Sequence, residues 1–257
     1  MARPRTCSSG KLAGGCKLCI SAKVLPIYIT FKCNKSCFYC PVLPTLQGRD
    51  FILTPYRKIS KIGDLLQIAA GFEAASISGG DPLCVPGRAA KVIKALKEKF
   101  GKGFYILLYT NAGLLTAKLA KKLADAGLDE MKLHSFDLNR FKIAKKYIPH
   151  AGAEVVVVPG EKQKLQKLIL SLDALGIEFI NLNELEVAEL NLPEIKKRGY
   201  KLTRKSIAGS AELGKFLVKE AKRRKLKIAV HYCSVKEEAD AAERRDRRHN
   251  KLTKKKK

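Results

Sequence analysis

The chain has 257 residues, 46% of them hydrophobic and 29% charged, a balance that buries a core and excludes a disordered or fibrous protein. No apolar run reaches the ~18 residues of a membrane span, and the first ten residues lack the apolar stretch of a secretory signal. We therefore expect a cytoplasmic protein without a membrane partner, whose eight cysteines are reduced thiols or metal ligands. The 51 Lys and Arg against 24 Asp and Glu give a net charge of +27, which attracts phosphates and makes RNA a candidate partner. A lysine-rich surface suited to heat or salt explains the same charge. From Lys236 onward there are ten basic and five acidic residues, so most of the excess is spread over the body.

In chain order, Cys16-Lys17-Leu18-Cys19 precedes an apolar, β-rich run from Val24 to Phe31 that predicts the first strand. Cys33, Cys37 and Cys40 follow at its carboxyl end, and Pro41, Pro44 and Gly48 keep the next segment irregular. Apolar residues at helical spacing predict a helix over 56–72, and Glu73 to Ser78 a second strand ending in Gly79-Gly80-Asp81-Pro82. The alternation then becomes regular: helix 87–100, strand 104–110, helix 114–126, strand 130–135, helix 138–147, strand 153–158, helix 161–175 and strand 177–182. The unbroken Val155 to Val158 suits a parallel strand buried on both faces. A helix over 211–224 and a further strand over 227–233 are expected, then a charged helix running into a lysine tail. Six strands each followed by a helix predict parallel βα units in a partial (βα)6 TIM-like barrel, with a doubly wound sheet as second choice. The expected division is an extension over 1–23, the barrel over 24–235 and a basic helix and tail over 236–257.

Two metal readings compete. Cys16-x2-Cys19 and Cys37-x2-Cys40, with 17 residues between them, match the spacing of a zinc ribbon, the basis for a non-enzymatic zinc-ribbon RNA-binding protein. That reading leaves Cys33 unused. The other places Cys33, Cys37 and Cys40 on one iron–sulfur cubane with the fourth iron open.

CxxxCxxC, as Cys33, Cys37 and Cys40 with the aromatic Tyr39 before the last cysteine, resembles the signature of the radical SAM superfamily, and it follows a first strand as that signature does. In more detail the chain resembles uncharacterised archaeal radical SAM proteins related to pyruvate formate-lyase activating enzymes, through Cys16-Lys17-Leu18-Cys19, Leu128-Asp129-Glu130, Asn181 to Glu186 and His231-Tyr232-Cys233. The resemblance implies a [4Fe–4S] cluster held by the three cysteines and S-adenosylmethionine (SAM) on its open iron. Reductive cleavage of SAM then gives a 5′-deoxyadenosyl radical, with the electron coming from an unnamed donor. Gly79-Gly80-Asp81 stands where the family has Gly-Gly-Glu, which assigns it to the methionine end of SAM, with Asp81 one methylene shorter. Tyr39 is assigned to the border of the adenine and Asn111, at the end of the third strand, to the cofactor's surroundings.

Glu130, Lys132 and His134 alternate along the fourth strand and share one face. Polar residues toward a barrel interior are costly unless they serve a ligand, so Lys132 and His134 are candidates for the ribose or carboxylate of SAM. His231 and Cys233 likewise share a face, and with Cys16 and Cys19 they form a candidate second site for zinc or an auxiliary cluster. Substrate is expected near Asn181, Asn183, Glu184 and Glu186. Its class divides between an RNA nucleotide and a glycyl residue of a protein partner.

Overall fold

A computed structural model of the chain describes residues 7–254. Residues 1–6 and 255–257, which begin the expected extension and end the lysine tail, lie outside the described residues. In order, the elements are β1 (Cys7–Ser8), α1 (Gly14–Ile20), β2 (Val24–Thr30), the short strands β3 (Ile52–Leu53) and β4 (Lys58–Ile59), and α2 (Ile62–Ala69). Then come β5 (Ala74–Gly79), a 3-10 turn at Pro82–Cys84, α3 (Pro86–Phe100), β6 (Tyr105–Thr110), α4 (Ala117–Asp125), β7 (Glu130–Leu133), α5 (Leu138–Tyr147) and β8 (His150–Val157). The chain continues with α6 (Lys162–Ala174), β9 (Phe179–Glu184), α7 (Leu192–Lys197), α8 (Ser210–Arg223), β10 (Ala229–Cys233) and α9 (Val235–Lys254).

All ten strands form one sheet in the order β1-β10-β9-β8-β7-β6-β5-β2-β3-β4. From β2 to β10 the neighbours are parallel and follow the order of the chain without reversal. A doubly wound sheet reverses its order at a switch point, so the second choice is excluded. The sheet stays open, as a partial barrel, and carries seven parallel strands because 227–233 supplies one more. Period-two alternation puts Leu25, Ile27, Ile29, Ile77, Ile106, Leu108, Met131, Leu133, Val155, Ile180, Leu182 and Val230 into the helix-covered core. Full burial of side chains of this size stabilises by about 1.5–3 kcal/mol each. The alternate residues line the opposite, concave face, which we call the lumen.

The structure differs from expectation in three places. The helix expected over 56–72 starts only at Ile62, because a turn built on Thr54, whose hydroxyl accepts from Tyr56 and Arg57, first makes the β3–β4 hairpin. The segment holding Cys16 and Cys19 is a helix, α1, that plugs the amino-terminal end of the lumen. Its Gly15 packs against Glu130 and Leu107, where a Cβ would stand 2.7 Å from the Glu130 carboxylate. The charged helix α9 is no free tail. At one end the Glu184 carboxylate accepts from Val235 N at 3.0 Å; midway Arg244 donates to Ile20 O of α1 at 3.1 Å; at the far end His249 stacks on Tyr56 at 3.7 Å. It thus crosses the gap between the two edges of the open sheet. Among the described residues no helix is long and apolar enough to cross a membrane.

Candidate active site

The cysteine loop leaves the carboxyl end of β2, and its root is fixed by backbone contacts that only glycine permits. Gly80 N donates to Thr30 O and Asp81 N to Lys32 O, each at 2.8 Å. A Cβ on Gly79, at φ 121°, would lie 2.0 Å from Thr30 O, and one on Gly80 2.2 Å from Lys32 O. The glycines therefore bring the end of β5 onto the loop's own backbone. The return of the loop is closed by Phe31 N donating to Arg49 O at 2.8 Å and by Asp50, which accepts from Thr30 Oγ1 at 2.9 Å. Hydrogen bonds from Arg88 and Lys32 hold the Asp50 carboxyl well below the usual carboxylate range.

Asp81 is 1% exposed and its carboxylate is fully engaged. It accepts from Leu83 N at 2.8 Å, Thr110 Oγ1 at 3.0 Å and Asn111 N at 2.7 Å. Burial raises its pKa although these donors oppose the shift. Its placement makes Asp81 a positioning residue that couples the ends of β5 and β6. Asn111, so held, donates through Nδ2 to Asn34 Oδ1 at 2.8 Å and lies 3.6 Å from Cys33 Sγ. The cysteine loop is thereby pinned to both neighbouring strand ends.

Cys33 is exposed and Cys37 and Cys40 are half-buried, all as free thiols. Burial raises the Cys40 thiol, and Cys37 and Cys33 add to the rise, so the three sulfurs lie within electrostatic reach of one another. Among the described residues, no three His, Cys, Asp or Glu side chains are gathered tightly enough to hold a single metal ion. A cubane presents a separate iron to each thiolate and asks for a wider spacing than one ion does, so a loop of three free, mutually close thiols fits that group. The zinc ribbon does not survive: Cys37 and Cys40 sit beyond the carboxyl end of β2, whereas α1 brings Cys16 and Cys19 in from the other end of a strand roughly 20 Å long.

On the wall opposite, Tyr39 Oη and His134 Nε2 are 2.6 Å apart, and His134 N donates to Thr110 O at 2.8 Å. Burial lowers the His134 pKa and raises that of Tyr39, favouring the neutral form of each. Lys132 shares the face of His134 but reaches down the lumen. Its Nζ is 2.9 Å from Glu154 Oε2, 3.3 Å from Cys16 Sγ and 3.4 Å from Tyr109 Oη. Burial lowers the Lys132 pKa, but Cys16 and Glu154 outweigh it and hold the amine charged. Asn181 and Asn183 both donate to Glu154, at 3.0 and 3.1 Å, and Asn181 also donates to Cys16 Sγ at 3.0 Å.

Of the set Cys16, Cys19, His231 and Cys233, all four border the lower lumen, yet Cys16 faces an ammonium and an amide. His231 has Glu237 Oε2 at 3.8 Å. Glu154, Tyr109 and Glu238 are lumen residues that the sequence reading missed. The signal for Glu154 was there: it breaks the period of the Ala151 to Val158 run and stands opposite Asn181 in register.

A family model described as the radical SAM superfamily matches residues 27–157, half of the chain, from the first long strand through β8. The chain belongs to the radical SAM superfamily. A Methanocaldococcus jannaschii relative with the provisional name of a glycyl-radical enzyme activating enzyme is 32% identical over 242 residues, 87% of this chain and 63% of that protein. Another protein of the same organism, provisionally named a GTP 3′,8-cyclase, is 33% identical over 61% of this chain and 49% of its own length. The chain thus spans between half and two thirds of these radical SAM relatives. Among solved structures, Streptococcus suis SuiB bound to S-adenosylmethionine aligns with a TM-score of 0.56 and 17% identity, over 82% of this chain and 50% of that one. Methylornithine synthase aligns at 0.53 and 16% identity, over 82% and 70%. These likenesses agree with the partial-barrel fold, and membership of the superfamily implies a [4Fe–4S] cluster and SAM.

Proposed function

We propose that Cys33, Cys37 and Cys40 hold a [4Fe–4S] cluster at the mouth of the lumen, that SAM binds beside it, and that the enzyme directs a radical onto a molecule admitted to the lumen. When bound, the pair supplies one-electron cleavage of a sulfonium to a 5′-deoxyadenosyl radical. The chain's own residues supply placement. Asn111 orients Asn34 and Cys33, the Gly79-Gly80 backbone fixes the root of the loop, and Tyr39 with His134 forms an uncharged, hydrogen-bonded wall suited to border an adenine. α1 below and α9 across the seam keep bulk water from a reactive intermediate.

The observation that carries this reading is the pinning of a three-thiol loop onto the ends of β5 and β6 through Asp81 and Asn111. For the substrate, a glycyl residue of a partner enzyme is supported by the M. jannaschii relative's name and an RNA nucleotide by the +27 charge. Neither is supported by a residue of the site. The test is anaerobic reconstitution with iron and sulfide, reading iron content and the visible thiolate-to-iron absorption for the wild type and for Cys33→Ser, Cys37→Ser and Cys40→Ser. We expect a full [4Fe–4S] complement in the wild type and its loss in each variant. Zinc in place of an iron–sulfur spectrum, or a cluster retained in all three variants, overturns the reading.

A further inference from the structure

The lower lumen holds more carboxylate than it has cations to match. Lys132 is taken up by Glu154 at 2.9 Å and Cys16 at 3.3 Å, and His231 has Glu237 at 3.8 Å. Glu130 accepts from Gly15 N at 2.9 Å and from Tyr105 Oη at 2.8 Å. Glu238, in the first turn of α9, forms no ion pair among the described residues. The groups that face it are Glu154, Glu186, Cys233 and Lys132, in which acid outweighs base.

Glu238 is reached by solvent, yet burial, with Glu154 and Glu186 adding, pushes its carboxyl up to about 7. Cys19 combines the same properties: it is exposed, and burial pushes its thiol up to about 11. A side chain that water reaches while protein surrounds it faces a chamber inside the fold. A second observation points to what the chamber takes. Asn181 is 3% exposed, and while its Nδ2 donates to Glu154 and Cys16, its Oδ1 is buried without a hydrogen-bond partner. Both unmet groups are acceptors, so a donor carrying positive charge completes them. The ammonium of Lys132 beside Cys16 disfavours a metal ion as that charge. The enclosure by α1 and α9 favours a small molecule over a polymer.

We propose that this chamber binds a small molecule bearing a primary ammonium group, with Glu238 as its counter-ion and Asn181 Oδ1 as its acceptor, and that this molecule is the substrate. The role as substrate rests on the radical SAM reading of the mouth; the binding does not. The test is saturation-transfer NMR at neutral pH with n-butylammonium, against 1-butanol and butyrate as isosteres without the positive charge. It is run on the protein with and without its reconstituted cluster. We expect saturable binding of the ammonium, at least about tenfold weaker binding of both isosteres and of the ammonium to Glu238→Gln, and no displacement by excess SAM. Equal binding of 1-butanol, an unchanged affinity in a folded Glu238→Gln protein, or full displacement by SAM overturns the proposal. So does one equivalent of zinc that excludes the amine from a protein lacking the three loop cysteines. If Glu238→Gln does not fold, the comparison of the three probes on the unaltered protein decides. Amine binding without a cluster refutes the reading of the mouth alone, and a cluster without amine binding refutes the chamber alone.

Discussion

Replacing Lys132 by Met tests the electrostatics of the lumen most severely, because the two side chains have similar length and only the charge is lost. Lys132 is 3% exposed and its Nζ is the cationic partner of Glu154 at 2.9 Å, with Cys16 Sγ at 3.3 Å and Glu130 Oε1 at 4.0 Å. Removing one member of a buried pair strands the other, which costs about 3–5 kcal/mol. For a chain of this size that lowers the melting temperature by roughly 6–20 °C. The sign of the pH dependence follows from the directions of the shifts. Lys132 is raised above 10.5, so its contribution is complete below that value and fades only as pH rises through the folded-state pKa. Glu154 is lowered below 4.5: burial opposes the shift, but Lys132, Asn181 and Asn183 outweigh it, so its contribution is present above 4.5 and fades as pH falls through the folded-state pKa. In Lys132→Met that burial is unopposed by an ammonium, and Glu154 takes up a proton more readily. Urea denaturation from pH 8 down to 4.5 is therefore expected to show a penalty that shrinks on acidification, and Lys132→Met/Glu154→Gln should recover most of it. A loss below about 1 kcal/mol at pH 7, or a double variant no more stable than the single one, refutes the buried-pair account.

Gly80→Ala puts a Cβ 2.2 Å from Lys32 O, so the root of the cysteine loop must shift; iron incorporation on reconstitution is expected to fall while far-ultraviolet circular dichroism stays that of the wild type. Asp50→Asn removes the anion that Arg88 and Lys32 clasp, and amide hydrogen exchange over residues 31–50 should accelerate with little change elsewhere. In the wild type that clasp is complete above pH 3.8, the ordinary value for the carboxyl, and is lost only well into acid, because the Asp50 pKa is depressed. Truncation after Ser234 removes α9 and uncovers the lumen and α1, and enhanced fluorescence of a hydrophobic dye, absent from the full chain, reads that exposure.

The strands of the barrel were legible because their helix-facing residues recur at period two or run unbroken: Leu25, Ile27 and Ile29, or Val155 to Val158, permit little else. α1 was not, since Gly14 and Gly15 are poor helix formers and Cys16-x2-Cys19 drew attention as a metal motif. The course of α9 could not be read from its charges. What fixes it is the partners it meets across the gap, Glu184 at one end and Tyr56 at the other, which lie far apart in sequence. In the site, alternation correctly put Glu130, Lys132 and His134 on one face, but period alone does not say how far down a lumen each side chain reaches. Lys132 meets Glu154 and Cys16 while His134 meets Tyr39, a division set by strand register and by the plug of α1. The glycines after β5 were read as space for a ligand; the space they open is taken by the backbone of Thr30 and Lys32.

The central claim is that the three-cysteine loop supports reductive cleavage of SAM. Production of 5′-deoxyadenosine by the reconstituted protein under anaerobic reduction tests it most directly, comparing wild type with Cys37→Ala. The account predicts turnover in the wild type and none in the variant. Turnover that survives Cys37→Ala, or its absence from a wild type carrying a full cluster, contradicts it.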